Sequence, residues 1–291
     1  TAYNILKSKN GVKPLDDKIW AAVFGLDERT KHIKNALEQR GCKVVSADLN
    51  NRHGDAELPA DNIDMIFLPA PLTADGQSIR SVKNGGELLE FLRALPHVPI
   101  FCGRADKGLL KKAADDGIEI YDCFEQESFK IENAVPTAEA AIGLAISYTK
   151  NTLWNSRILI LGYGKIGKAL ALRLKNFTRA RVGIYARKQQ TRTQITCDGL
   201  SAIDDLSGDF GNFNIVFNTV PSKILTKEIL KNARKDCLII DLASRPGGTD
   251  FEAAKALSVT AVHALALPSK TAPIASAEIF VDTAVKILKG R

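Results

Sequence analysis

No apolar run in this sequence approaches the roughly 20 consecutive residues that a membrane-spanning helix needs. The first residues, "TAYNILKSKNGVKPLDD", lack an apolar core followed by a small-residue cleavage site. They therefore read as a ragged end and not as a signal peptide. No two of the five cysteines (Cys42, Cys102, Cys123, Cys197, Cys237) stand at CxxC spacing. Their odd count and wide separation suit free thiols in a reducing compartment, and a cytoplasmic protein is expected. The four histidines are equally dispersed, which excludes a readable zinc site, and no metal is expected. His263 follows an apolar run and either lines a cleft or packs as an ordinary core histidine. There is no solenoid-length repeat and no low-complexity tract. The net charge is +7, but the lysines and arginines are scattered through amphipathic segments. A nucleic-acid surface needs them clustered. Small anionic ligands and solvated helix faces account for the charge better.

What remains is an ordinary globular composition, 45% apolar and 25% charged over 291 residues, long enough for two domains. Short apolar runs alternate with longer amphipathic segments, the pattern of parallel sheets covered by helices. Strands are expected at 20–25, 43–46, 64–69, 99–102 and 119–121, with helices at 28–40, 86–95 and 107–115. A second series of strands is expected at 157–162, 181–185, 215–218, 237–241 and 260–264. Between the two series, Thr137 and Glu139 open a long helix rich in small residues, suited to close packing between the halves. A helix over 275–288 ends the chain. The fold class is α/β: two doubly wound, open parallel-sheet (Rossmann-like) domains with a cleft between them. The expected domains are 1–135, Rossmann- or flavodoxin-like, and 136–275, nucleotide-binding, with 276–291 returning to the first.

The chemistry concentrates in the second half. "RILILGYGKIGKALALRLKNF" holds Gly162-x-Gly164-x-x-Gly167 between an apolar strand and an amphipathic helix. That context turns a weak motif into a dinucleotide-binding loop. Gly162 permits the tight turn, Gly164 lets the backbone approach a pyrophosphate, and Gly167 lets the helix lie close to the strand. The backbone of Tyr163, Lys165 and Ile166 completes the cradle at the helix N-terminus. An unliganded glycine turn is the plain alternative. The next strand ends "VGIYARKQQTR", with Tyr185, Arg187 and Lys188 where NAD sites usually place an acid. Cations there suit a 2′-phosphate, with Arg192 nearby, so NADP is expected and NAD is possible. The alternative is a loop of exposed charges.

Two further strand ends should meet the cofactor, because ligands sit beyond the carboxyl edge of such sheets. They are Asn218, Thr219, Val220 and Pro221, and then Asp241, Leu242 and Ala243. The second runs on into "DLASRPGGTD". Arg245 offers a fork suited to a carboxylate, and Gly247 and Gly248 leave room for a ligand and allow positive φ. Arg245 could equally pair with Asp250, and position alone does not decide.

"IENAVPTAEAAIGLAI", "ILGYGKIGKALA", "NTVPS" and above all "DLASRPGGTDF" resemble the A subunit of dipicolinate synthase from endospore-forming bacteria. The likeness extends from about Ala21 to the C-terminus and takes in "VFGLDERT" and "IDMIFLPAPLTADG". The resemblance implies a protein that binds NADP and works with a flavoprotein B subunit. Together they oxidise a dihydrodipicolinate to pyridine-2,6-dicarboxylate in the mother cell of a sporulating bacterium. On that reading Arg245 holds one carboxylate of the anionic substrate, Thr137 donates to the other, and Glu139 or Asp241 handles a proton. A homo-oligomer is expected. The alternatives are a nucleotide-binding scaffold with no chemistry of its own, or a related dehydrogenase acting on another carboxylated substrate. The sequence departs from the family at "LALPSKTAPIASAE", where Ala266, Ser269 and Ala277 replace expected glycines and would crowd the backbone. Leu26 replaces another.

Overall fold

A computed structural model describes residues 19–25, 28–47, 62–72, 86–177 and 179–290. Residues 1–18, Leu26 and residues 73–85, on which parts of the family likeness fall, lie outside the described residues. The chain divides into two compact units, Thr1–Lys130 with Pro273–Arg291, and Ile131–Ala272.

The first unit is a parallel sheet of β1 (Trp20–Phe24), β2 (Lys43–Ala47), β3 (Met65–Phe67), β4 (Ile100–Cys102) and β5 (Ile120–Asp122), in the order β2-β1-β3-β4-β5. That is the flavodoxin-like order. Helices α1 (Glu28–Glu38), α2 (Gly86–Arg93) and α3 (Lys107–Asp115) connect the strands. Successive side chains of a strand point to opposite faces. Ala21 and Val23 accordingly join one core cluster, and Ala22 and Phe24 the other. Both faces are covered, which is why β1 reads as an unbroken apolar run.

The second unit contains α4 (Ala134–Tyr148), β6 (Arg157–Leu161), α5 (Lys165–Phe177), β7 (Arg181–Tyr185), α6 (Gln189–Cys197) and β8 (Ser201–Ile203). It continues with α7 (Leu206–Asp209), β9 (Ile215–Asn218), α8 (Lys227–Leu230), β10 (Leu238–Asp241), α9 (Phe251–Ala256), β11 (Thr260–His263) and α10 (Leu267–Thr271). The strand order β11-β10-β9-β6-β7-β8, parallel throughout, is the dinucleotide-binding order. Ile158 and Ile160 pack under α4 and α5, while Leu159 and Leu161 face the opposite cluster.

Helix α4 starts three residues before Thr137. Pro136 falls in its first turn, where an N–H has no helical partner to lose. The alanines that give this helix its small-residue character, Ala138, Ala141 and Ala145, are fully buried in the core of the second unit.

The last helix, α11 (Pro273–Lys289), belongs to the first unit. Ala277, Phe280, Val281 and Ala284 join Ile33, Ala36 and Leu37 of α1 in one core cluster. Ala277 is fully buried there, so the methyl that replaces an expected glycine is absorbed into packing. Just beyond α1, the Arg40 side chain is only 2% exposed, and its Nη2 lies 2.7 Å from Asp282 Oδ1. Its Nη1 donates to Ala36 O at 2.6 Å. A buried guanidinium that loses its carboxylate keeps its desolvation cost. Because Asp282 is 43% exposed, the full cost of a buried pair is not expected. Asp282→Ala should lower stability by about 2 kcal/mol in urea unfolding. An unchanged midpoint would mean that apolar packing alone holds α11.

Candidate functional site

The strand order reverses between β6 and β9, which opens a crevice at the carboxyl edge of the second sheet. The glycine loop lies there. Gly162 has φ +94, and a Cβ on it would stand 2.5 Å from Thr219 Oγ1. Gly167 is closed for a different reason, since its Cβ would overlap Gly162 O, the backbone of the preceding turn. Gly164 has nothing within 4 Å of its Cβ position. The three glycines thus separate by role: two are required by the protein's own packing, and Gly164 faces open space, as close approach by a pyrophosphate requires. Lys165 and Ile166 are the first residues of α5, and the first N–H groups of a helix have no partner within it and suit an anion.

The Tyr163 side chain turns away into protein contacts. Its hydroxyl donates to Asp198 Oδ2 at 2.7 Å, and the Lys168 ammonium lies 5.1 Å from the ring centroid. Burial, then the Asp198 hydrogen bond, push the phenol well above its ordinary pKa. The same bond, with help from Gln194, holds Asp198 below the usual carboxylate value. Tyr163 therefore offers a ligand only its backbone.

At the end of β7 the cations divide. Arg192 is committed to the protein: Nη1 donates to Ala186 O at 2.9 Å and Arg187 O at 2.8 Å, and Nε lies 3.0 Å from Asp204 Oδ1. It fastens the turn that follows Tyr185. Arg187 and Lys188 on that turn are exposed, and their side chains have no ion pair among the described residues. The turn is thus held by Arg192, while the two neighbouring cations are left without an ion pair among the described residues.

The third part of the site is a row of polar residues at adjacent strand ends. Asn218, Asp241 and His263 are paired in register across β9, β10 and β11. Asp241 is completely buried. Its Oδ1 accepts from Asn218 Nδ2 and from Ala243 N, each at 3.0 Å. Its Oδ2 accepts from Gly248 N at 2.9 Å. Asn218 Oδ1 also accepts from Val220 N at 3.1 Å, fixing the Thr219–Pro221 turn. Leu242 N donates to Asn218 O at 2.8 Å. His263 Nε2 lies 3.0 Å from Ala243 O, and its ring stacks on Phe251. It is a packed histidine that braces the loop. Sequence reasoning has no signal for this row beyond the position of each residue at the end of a strand.

The structure gives Gly247 and Gly248 a task other than leaving room for a ligand. Both are buried. Gly247 has φ +91, and its Cβ would come 3.2 Å from Asp241 Oδ2 and 3.3 Å from His263 Nε2. A Cβ on Gly248 would overlap Asn218 Nδ2 and Val220 O. Gly248 O in turn accepts from Ile224 N and Leu225 N, each at 2.9 Å, tying the loop after β10 to the loop after β9. The glycines let the chain pass the Asp241 carboxylate, and the exposed part of the loop is Ser244-Arg245-Pro246. The Arg245–Pro246 peptide is cis, and Gly247 N closes the turn on Ser244 O at 2.8 Å. Asp250 is not Arg245's partner: it pairs with Lys223 at 3.0 Å and caps α9 through Ala253 N. The Arg245 guanidinium has no partner among the described residues.

On α4, Thr137 is buried and its hydroxyl donates to Asn133 O at 2.7 Å. Glu139 is paired with Arg173 of α5 at 3.0 Å. After β11, Ala266 takes φ 56 and ψ 37, the left-handed conformation. A glycine adopts it freely and an alanine at a cost of about 1 kcal/mol. Ser269 Oγ donates back to Ala266 O at 2.9 Å and steadies this turn. All five cysteines are free. Burial pushes the Cys42 thiol up to about 11 and that of Cys237 up to about 12, which makes both poor nucleophiles. No cluster of metal-ligating side chains occurs among the described residues. No helix among them is long and apolar enough to cross a membrane.

The family model "D-isomer specific 2-hydroxyacid dehydrogenase, NAD binding domain" matches residues 121–257. The sequence is 34% identical over 282 residues to the A subunit of dipicolinate synthase from Bacillus subtilis (strain 168), covering 92% of this chain and 95% of that one. The crystal structure of the Bacillus subtilis protein of that name matches with a TM-score of 0.79 at 28% identity, covering 96% of this chain and 98% of that one. A transhydrogenase from Sinorhizobium meliloti matches with a TM-score of 0.65 at 12% identity over 93% of each chain, a likeness of fold alone. The second unit is a nicotinamide-dinucleotide-binding domain of the dehydrogenase type.

The glycine loop gives a paired prediction. Gly164→Ala should leave the thermal midpoint within about 2 °C, since its Cβ meets nothing, yet weaken dinucleotide binding at least about tenfold. Gly167→Ala should cost about 3 kcal/mol in stability through overlap with Gly162 O. Equal stability losses in the two variants would contradict this division of roles.

Proposed function

The chain belongs to the family of the dipicolinate synthase A subunit, and on that footing we propose that it oxidises a dihydrodipicolinate to pyridine-2,6-dicarboxylate with NADP, together with a flavoprotein partner. The observation that carries the reading is Arg245. Its guanidinium is unpaired among the described residues and exposed, and it stands on a loop whose inner contacts are made by the Asp241 network. An arginine fork so presented suits a planar carboxylate.

A nicotinamide held in the crevice would supply the hydride acceptor. The substrate gives up a hydride from a ring carbon, and a proton leaves to solvent as the ring becomes aromatic. Aromatisation supplies driving force, so the protein's task is chiefly to position a dianion. Arg245 holds one carboxylate. Arg187 and Lys188 hold the 2′-phosphate of NADP, on a turn fastened by Arg192. The Asn218–Pro221 turn and the backbone of Leu242 and Ala243 line the ribose and nicotinamide. Thr137 meets a substrate carboxylate only by giving up its bond to Asn133, so Arg245 is the stronger anchor. Asp241 organises the loop, and with Glu139 paired to Arg173 the proton is best left to water.

Formation of the ultraviolet absorbance of pyridine-2,6-dicarboxylate, followed with and without the flavoprotein partner, tests the reaction and separates a catalyst from a nucleotide-binding scaffold. Arg245→Ala should raise KM for the dihydro substrate at least about tenfold, and an unchanged KM would refute the carboxylate assignment. Arg187→Ala combined with Lys188→Ala should weaken NADP about 30-fold and NAD less than about twofold. Equal loss of both nucleotides in fluorescence titration would mean that these cations do not read the 2′-phosphate.

A further inference from the structure

At the opposite, amino-terminal edge of the second sheet lies a cleft of about 580 Å³, lined among others by Arg157, Lys175, Arg181, Leu200, Ile203 and Phe213. Its volume is within the range of small-molecule sites. Three of the residues lining it are cationic and none is acidic. Arg157 and Arg181 are the first residues of β6 and β7 and are direct partners in the parallel register. Their backbones are therefore about 5 Å apart and their side chains leave the same face of the sheet. Like charges so placed repel one another. Yet both are exposed, and neither guanidinium has an ion pair or hydrogen bond to the described residues. Lys175 Nζ is held at the cleft by Gly199 O at 2.9 Å, which keeps a third charge in place. Gly183 follows Arg181 on the same face, and a Cβ there would meet Ile203 at 2.9 Å and Phe213 at 3.0 Å. With no side chain at that position, Ile203 and Phe213 reach over the strand and form an apolar floor beside the cations.

We infer that this edge is a second ligand site, separate from the dinucleotide crevice, for a small molecule with two negatively charged groups. The paired guanidinium forks of Arg157 and Arg181 bind phosphate or carboxylate oxygens with charge-assisted bonds, and an anion between them removes their mutual repulsion. The floor of Ile203 and Phe213 accepts the flat or apolar body of the molecule. The site sits beside β7, the strand whose other end leads to the Arg187–Lys188 turn. It does not depend on the reaction proposed above, which uses the other edge.

The test uses the whole chain saturated with NADP, so that the glycine loop is taken. Inorganic pyrophosphate and pyridine-2,6-dicarboxylate are titrated separately by calorimetry into the wild type, into an Arg157→Gln/Arg181→Gln variant, and into Arg245→Ala. Binding of at least one probe should weaken about tenfold or more in the Arg157→Gln/Arg181→Gln variant and persist in Arg245→Ala. Which probe binds tells phosphate from carboxylate. No binding to the wild type, equal binding to the wild type and the double variant, or loss only in Arg245→Ala overturns the site. Loss only in Arg245→Ala would at the same time support the reaction assigned to the other edge. Both substitutions are on exposed residues, and an unchanged thermal midpoint confirms that the fold is intact.

Discussion

The Asp241 carboxylate is the interaction on which the candidate site depends. It ends a fully buried strand, and three N–H donors converge on it, the Asn218 side chain from the end of the neighbouring strand and two backbone groups from the loop that follows its own. A buried carboxylate is tolerable only when its oxygens are satisfied. That requirement propagates outward. Asn218 must face it across the sheet, and so fixes the turn after β9. Gly248 must lack a Cβ so that its N–H can reach Oδ2 past Asn218. Gly247 must turn with positive φ beside the same oxygen. What these demands leave exposed is the short segment Ser244–Pro246, with Arg245 on it. The position of the arginine therefore follows from the chemistry of a residue four places earlier, at the bottom of the loop.

The fold is legible in the sequence because the core strands are apolar on both faces. The runs "WAAVF", "RILIL" and "LIID" announce a buried parallel sheet, and the glycine fingerprint fixes which sheet binds the nucleotide. What escapes detection has a common physical character. Strand β8, "SAI", is three residues long and lies at the sheet edge, partly exposed. Helix α6 buries only Ile195 and so carries no apolar stripe. Both are shaped by tertiary packing and not by pattern.

At the site, the sequence shows the residue types and the structure shows the contacts they make. Gly247 and Gly248 read as room for a ligand, and they serve the Asp241 carboxylate. Arg192 reads as one more cation near the phosphate, and it staples the turn that carries the two free ones. Asp250 is the natural partner for Arg245 in sequence, and it is taken by Lys223. Each correction is a hydrogen bond or ion pair between residues whose adjacency only the folded chain creates. The replaced glycines divide in the same way. Ala277 sits in a helix, where alanine is at home. Ala266 sits at a left-handed position, where it carries strain next to the loop after β11.

The central claim is that Asp241 acts by holding the loop and not by moving a proton. The most direct test is Asp241→Asn, with urea unfolding and steady-state kinetics measured on the same protein. An amide nitrogen would face the N–H of Gly248 or Ala243, leaving a buried donor unsatisfied at a cost of about 2 kcal/mol. We predict a stability loss of that size, a raised KM for the dicarboxylate substrate, and a pH–rate profile of unchanged shape. Unaltered unfolding together with a collapse of kcat and the loss of one limb of the pH profile would contradict the claim and make Asp241 the proton carrier.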